Sequence, residues 1–551
     1  MMTRGSILTF AVLAACSSPA HTVRFANAPA VERVDDRHDV PKPPAARPFA
    51  RTLYHFRGNV IRRIARGLDM REHQRSLGVN ALDEVPDSTW FTNRIGVREL
   101  TPDEVKAGPI VVGSPEPHLP WTIKSTKQGG VSIGFIIKDA RGEKFVLKFD
   151  ERDYPELETS ADIVTGKLLW AAGYNVPEDH IVRFRPSDLV VPPDATISDQ
   201  FGNKRKLTRA DVDRLLKQTA FEPDGRIRGM ASRYLDGKWL GGHPDEGVRA
   251  DDPNDRIPHE RRRELRGARA IFAWLDQVDV KEDNTLDMWV EEGGKKFVRH
   301  YWIDFGKALG VTATMGRDPR RSYAYQFDLA STVTSAVTLG FNERPWDHRT
   351  APALRGIGLF DAASFSPATW KPNSPSYLPF LIADDIDGFW GARLVMRFTR
   401  SQLRAAVEAG GYSDPRAIDY LTDTLVERQQ ITGRHYFSRV APLDRFVVDQ
   451  GKLCFDDLLL SYRLAAAHKI TRYTAELAGR DGRRFATATA TPDRTGHACI
   501  AVQPSAASDG YTIVTLRTER HAFSARTYIH LAKRDGALRV IGLWREPAEQ
   551  R

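Results

Sequence analysis

Three cysteines in 551 residues, at Cys16, Cys454 and Cys499, are too few and too scattered for a cysteine-based zinc framework. The chain has no Gly-x-Ser-x-Gly and no His-Glu-x-x-His, so hydrolase and zincin chemistry find no support. No apolar run is long enough to span a bilayer, no long block of one charge occurs, and no internal repeat is visible. The net charge of +9 is spread along the chain without an aromatic-interleaved basic stripe. That balance suits a nucleotide or an acidic surface and argues against nucleic acid as a partner. His259, His300 and His348 lack metal-ligand spacing and read as surface or packing residues. Trp289, Trp302, Trp346, Trp370 and Trp390 read as core. What remains is an ordinary globular composition, 41% hydrophobic and 27% charged, in a chain long enough for two or three domains.

The N-terminus has Arg4, a short apolar run Ile7–Ala15, and Leu13-Ala-Ala-Cys16. Small residues before a lone cysteine resemble the lipobox of bacterial lipoproteins. The resemblance implies a signal peptide over 1–15, cleavage before Cys16 and acylation there (palmitate and diacylglycerol), which anchors without a transmembrane helix. Its competitor is a plain secretory signal. Ser17 after the cysteine fits outer-membrane sorting in a Gram-negative cell envelope. In an oxidising compartment Cys454 and Cys499 are either one disulfide or two buried thiols.

Residues 16–52, rich in Ala, Pro and charge, read as a flexible tether, and 53–119 as an N-terminal extension with a helical patch at 60–68. Strands at 131–137 and 144–149 flank the turn Asp139-Ala-Arg-Gly142. A helix with Pro155 in its first turn runs through Leu157, Ala161, Val164, Leu168 and Ala171 to Gly173, and a strand follows at 181–184. Residues 186–260 are polar with one short helix near 210–218, and 230–240 reads as a connection. Helices follow at 261–275, 386–397, 400–409 and 418–431. Short alternating runs over the last hundred residues predict a β-sandwich or barrel. The fold class expected is α+β, with units at 120–186, 187–446 (carrying an insertion) and 447–551.

The chemistry concentrates in Asp279-Val-Lys281-Glu-Asp-Asn284, followed after an apolar, aromatic run by Asp304-Phe-Gly306. Phosphoryl transfer needs this kit: Asp279 to orient an attacking hydroxyl, Lys281 for the γ-phosphate, and Asn284 with Asp304 to hold a hard cation. Lys148, on the strand after the turn, is placed to reach the α- and β-phosphates. Glu158 and Asp162, four apart on one helix face, are both candidates to pair with it. Gly129 and Gly130, in Lys127-Gln-Gly-Gly130, offer backbone N–H groups for a phosphate.

The order Lys148, Asp162, Asp279-x-Lys-x-x-Asn284, Asp304-Phe-Gly resembles the protein-kinase-like superfamily, in its atypical HipA-type, CotH and secretory-pathway branches. The spacing of Asp162 to Gly173 resembles the acidic helix position of HipA-type kinases and favours Asp162 over Glu158. The resemblance covers roughly residues 120–440. It implies a bilobal fold, with a small β-rich lobe carrying one helix and a larger helical lobe, and it implies ATP and Mg²⁺. Gln277-Val278 stands where His-Arg would precede the catalytic Asp, and no Ala-Pro-Glu follows Gly306, which argues against regulation by loop phosphorylation. The reading is an exported, lipid-anchored phosphotransferase acting on a protein or small-molecule hydroxyl. The alternatives are a non-catalytic envelope binding protein and an AMP-transferring variant.

Overall fold

The turn at Asp139–Gly142 joins β2 (Gly134–Lys138) to β3 (Lys144–Lys148) in an antiparallel hairpin, and β1 (Trp121–Thr126) pairs with the other edge of β2. The structure, a computed structural model, describes residues 23–62, 74–127, 133–198, 203–311, 319–326, 328–341, 343–344 and 346–549. It is a mixed α+β molecule with several sheets. No described helix is long and apolar enough to cross a membrane.

The first sheet has eight strands. Its order runs β4 (Asp179–Phe184), β8 (Ile227–Arg233), β3, β2, β1, then β6 (Thr196–Ser198) and β7 (Lys204–Lys206), with β5 (Leu189–Val190) also beside β1. Strand β8, between β4 and β3, lies in the stretch expected as polar loop and connection. Covered on both faces, it is buried from Ile227 to Ala231 and shows no alternation. Trp121, Phe135, Phe145, Leu147 and Phe184 form the core beneath.

Helix α1 (Arg51–Phe56) passes into a π-helical turn, Arg57–Ile61; of the helical patch expected at 60–68, residues 63–68 lie outside the described residues. Helix α2 (Pro102–Ala107) opens with a capping box from Thr101 and Glu104. Helix α3 (Glu158–Ala172) starts three residues later than Pro155 suggested. The reason is Asp150, which caps it from the preceding loop: its carboxylate accepts from Glu158 N and Thr159 N at 2.8 Å each and from Glu156 N at 3.0 Å. Helix α4 (Arg209–Leu216) matches the one short helix expected before residue 260.

Helix α5 (Arg263–Leu275) ends at Asp276 in the left-handed region. Downstream lie α6 (Leu329–Val337), α7 (Leu378–Leu381), α8 (Asp385–Met396), α9 (Arg400–Ala409) and α10 (Pro415–Phe437). Helices α5 and α8 cross closely because Gly267 and Gly391 meet; a Cβ on Gly391 would stand 2.3 Å from the Gly267 carbonyl oxygen. Residues of α3, α5, α9 and α10 share one apolar core with Trp90, Phe91 and Phe305.

Towards the C-terminus, β12 (Leu443–Asp449), β13 (Lys452–Asp457) and β16 (His497–Ala501) form one sheet. A second has the order β15 (Arg484–Ala490), β14 (Arg472–Ala478), β17 (Thr512–Arg520), β18 (Phe523–Arg534) and β19 (Ala537–Arg545). The two bury a common core around Leu453, Phe455, Tyr473, Leu516 and Ile529. A short helix, α11 (Leu458–Ser461), interrupts the strands. Cys454 and Cys499 are cross-strand partners on β13 and β16, joined through sulfur at 2.10 Å.

The stretch expected as a flexible tether is packed from residue 23 onward. Phe25 sits against Gly542, Asp36 accepts from Thr89 N at 2.7 Å, and Val40 N and Arg47 N donate to the Lys296 and Leu240 carbonyls. Cys16, Gly129 and Gly130 lie outside the described residues.

Candidate functional site

Two elements deliver the acidic loop. Helix α5 ends at Asp276, and Gln277 to Lys281 continue in irregular backbone held by buried Val278 and Val280. Asn284 closes a 3-10 turn, after which β9 (Lys238–Trp239), β10 (Thr285–Glu292) and β11 (Lys295–Trp302) form a small sheet. The β10–β11 hairpin accounts for the spacing between Asn284 and Asp304. It folds the chain back so that its two ends, one before β10 and one after β11, lie together; Ile303 N donates to Asn284 O at 3.0 Å. The apolar, aromatic run before Asp304 is therefore the second arm of a hairpin.

Within the loop, Lys281 Nζ is 2.8 Å from Asp279 Oδ2. Asn284 Nδ2 donates to Asp279 Oδ2 at 3.0 Å and to Asp279 O at 2.7 Å. That use of Nδ2 leaves Asn284 Oδ1, the atom a hard cation takes. Asp304 adopts φ 63°, a left-handed conformation that an aspartate tolerates better than most residues.

Lys148, at the end of β3, joins the two halves of the site. Its Nζ is 3.1 Å from Asp162 Oδ2 on α3 and 3.0 Å from Asp304 Oδ1. Asp162 uses its other oxygen to accept from Phe305 N at 3.1 Å, so one carboxylate fixes both the lysine and the Asp-Phe-Gly backbone. Phe305 packs beside Gly166 of α3, where a Cβ would lie in ordinary contact with the ring at 3.5 Å. Glu158, the other acidic candidate, does not reach Lys148. It pairs with Lys307 at 2.5 Å, because Gly306 lets the chain pass beside the Glu158 side chain.

The electrostatics follow from this packing. Burial works against the Lys148 charge, but Asp162 and Asp304 outweigh it and hold the ammonium well above its ordinary range. Lys148 holds the Asp304 carboxyl well below its usual range against the effect of burial, with help from Lys127 and Lys281. Burial pushes the Asp162 carboxyl up, against the pull of Lys148. Asp179, buried at the start of β4, is raised to about 7 by burial and by Asp162.

Two further residues belong to the site. Lys127, on the chain leaving β1, is pushed down by burial and by Lys148, and it faces Asp304, Glu158 and Asp162. In sequence it was only part of a glycine-containing loop. Gln277 donates from Nε2 to the Asp304 carbonyl at 3.3 Å, tying the acidic loop to the second carboxylate. The dipeptide Gln277-Val278 had been legible only as a departure from a pattern, and the contact needed the fold to be seen.

The cluster brings three lysines (Lys127, Lys148 and Lys281) together with Asp279, Asn284 and Asp304. Such a set can hold a divalent cation on the oxygens and a polyanion on the ammonium groups.

No family model matches the chain, and no curated protein matches it. Among solved structures, the Golgi casein kinase with Mn/ADP bound is similar over 60% of this chain and 73% of that one, at 10% identity and a TM-score of 0.28. A second structure of the Golgi casein kinase is similar over 61% and 75%, at 11% identity and a TM-score of 0.27.

Proposed function

We propose that this chain is an ATP- and Mg²⁺-dependent phosphotransferase of the atypical kinase class, acting on a protein or small-molecule hydroxyl. The observation that carries the reading is the convergence on Lys148 Nζ of Asp162 from the helix and Asp304 from the hairpin, at 3.1 and 3.0 Å. Their separation in sequence makes this a property of the fold rather than of local spacing.

In this reading, β1–β4 and β8 with α3 form a small lobe and α5 with α8–α10 a helical lobe. The C-terminal sheets form an appended β unit. Lys148 and Lys127 would take phosphate oxygens, and Asn284 Oδ1 with Asp304 would hold Mg²⁺. The donor set fits: hard oxygen ligands for the cation, and a half-exposed Asp304 carboxylate with Lys148 on only one oxygen. Bound magnesium supplies charge neutralisation as a phosphoryl group transfers. Asp279, held by Lys281 and Asn284, orients the acceptor hydroxyl and takes its proton. Asp162 keeps Lys148 extended toward the phosphates, and Gln277 fixes the backbone at Asp304.

Thermal denaturation with millimolar Mg·ATP tests the reading. A rise of several degrees is expected for the wild type and none for Asp304→Asn. Asp279→Asn should keep the nucleotide shift and lose phosphoryl transfer. A wild type indifferent to nucleotide defeats the proposal in favour of a non-catalytic binding protein, and transfer of AMP in place of phosphate would identify the variant chemistry.

The site of action proposed is the bacterial cell envelope, through acylation of Cys16. Labelling with palmitate in the wild type and its loss in Cys16→Ala is the expected outcome.

A further inference from the structure

The β10–β11 hairpin carries a second polar cluster behind the candidate site. Asp287 and His300 are cross-strand partners, three residues after Asn284 and four before Asp304. His300 Nδ1 lies 2.7 Å from Asp287 Oδ1. His243, from the loop after β9, brings its Nδ1 to 3.7 Å from the same oxygen. The three donor atoms all lie within 4.8 Å of one another, and none of the residues is more than 3% exposed.

His243 is placed deliberately yet poorly satisfied. Gly242 packs on the Glu282 carbonyl, and the His243 N–H donates to Thr285 Oγ1 at 3.1 Å, which fixes the imidazole against the hairpin. Its Nδ1 has no hydrogen-bond partner, and its Nε2 finds only Tyr377 Oη at 3.4 Å. A buried imidazole in this state has given up its bonds to water without replacing them. The neighbouring His259 shows the contrast: it is held on both nitrogens, by Asp255 and the Pro244 carbonyl, and offers no free donor.

We propose that His243, Asp287 and His300 bind one divalent transition-metal ion of the zinc class. Two imidazole nitrogens and one carboxylate oxygen are the donor types such an ion takes, at about 2.0–2.2 Å each. Three ligands at that radius stand about 3–4 Å apart; the Asp287 oxygen is 2.7 and 3.7 Å from the two imidazole nitrogens and all three donors lie within 4.8 Å of one another, so side-chain shifts of about 1 Å close the shell. Asp287 has the outer support a metal-bound carboxylate uses. Its second oxygen accepts from Arg249 Nε at 3.2 Å and Nη2 at 3.0 Å. Trp90 stacks on His300 at 3.5 Å between ring centroids and packs edge-on to His243, which closes the site to solvent. The ion is structural: it locks both arms of the hairpin whose ends carry Asn284 and Asp304, and it ties them to the loop bearing His243. The donors are dispersed in sequence, which is why spacing alone reads His300 as a surface or packing residue.

The test uses untagged full-length protein with its disulfide intact, loaded with Zn²⁺, dialysed against a weak chelator and analysed by elemental mass spectrometry. About one zinc per chain is expected for the wild type and for Asp304→Asn, and at least a tenfold loss for His243→Ala. Replacement by Co²⁺ should give visible ligand-field bands in the wild type, a readout that does not depend on any variant folding. A wild type that retains no zinc and gives no cobalt bands overturns the proposal, as does full retention in a folded His243→Ala. Because Asp304→Asn disables only the nucleotide site, failure of the phosphotransferase reading would leave this result standing.

Discussion

Lys148 is a buried cation whose existence depends on two carboxylates, each contributed by a different element. Its side chain is 12% exposed and Asp162 is 3% exposed, so this pair sits in a medium where an unpaired charge is expensive, whereas Asp304 at 41% keeps contact with water. Removing the lysine alone therefore leaves Asp162 as an uncompensated buried acid. Lys148→Met should lose about 3 kcal/mol of stability in urea unfolding. The double variant Lys148→Met/Asp162→Asn should recover part of that loss, since the second change removes the stranded charge. Strictly additive losses would show that the two groups do not interact. Nucleotide-dependent stabilisation should be absent from both variants, so stability and ligand response separate the structural from the binding share of this lysine.

At the level of elements, Asp150 does more than its place in a loop suggests. It caps α3 with the Glu158 and Thr159 N–H groups, accepts from Thr159 Oγ1 at 2.6 Å, and pairs with the buried Arg228 of β8 at 3.1 Å. Arg228 also donates to Ser160 Oγ and to the Gly410 carbonyl, so one carboxylate joins sheet, helix and the end of α9. Asp150→Ala should lower stability by about 3 kcal/mol, because it removes a cap and strands a buried guanidinium. Hydrogen exchange should show the first turn of α3 opening faster, and unchanged protection there would refute the capping role. The same residues explain what was legible beforehand. The hairpin of β2 and β3, the body of α3, and helices α5, α8 and α9 follow from apolar period and turn residues, and the sequence positions of Lys148, Asp279, Asn284 and Asp304 stood out by type. Strand β8 was illegible because its Arg228 and Gly229 face the interior for reasons that only Asp150 and Phe149 supply. Asp162 could be ranked above Glu158 only by resemblance. Gln277, Lys127 and the cluster around His243 depend on contacts across the chain that no local pattern contains.

Across the whole molecule, the parts are fastened by buried charge as well as by apolar cores. Asp83 lies 4% exposed in the N-terminal extension and meets three arginines: Arg75 at 3.2 Å, Arg263 of α5 at 3.3 Å and Arg545 of β19 at 3.5 Å. Burial opposes ionisation of this carboxyl, but Arg263, Arg75 and Arg545 together hold it below its ordinary range. Arg263 continues to Asp387 of α8 at 2.8 Å, and Arg545 to Asp444 of β12 at 3.6 Å. The helix that delivers the Asp279 loop is thus tied through one aspartate to the last strand of the C-terminal sheet. Residues 23–50 reinforce the tie, since Phe25 packs on β19 while Val40 and Arg47 bond beside the β9–β11 sheet. Asp83→Ala leaves Arg263 and Arg545 buried with one partner fewer and should cost about 3 kcal/mol. Its second effect distinguishes a fastening residue from one that merely packs. Calorimetry of the wild type should give one cooperative transition. The variant should give two, with the C-terminal sheets, held by the Cys454–Cys499 bond, melting apart from the rest of the chain. A variant that shifts to lower temperature as a single transition would show that the cores alone couple the parts, and that Asp83 adds stability without transmitting it.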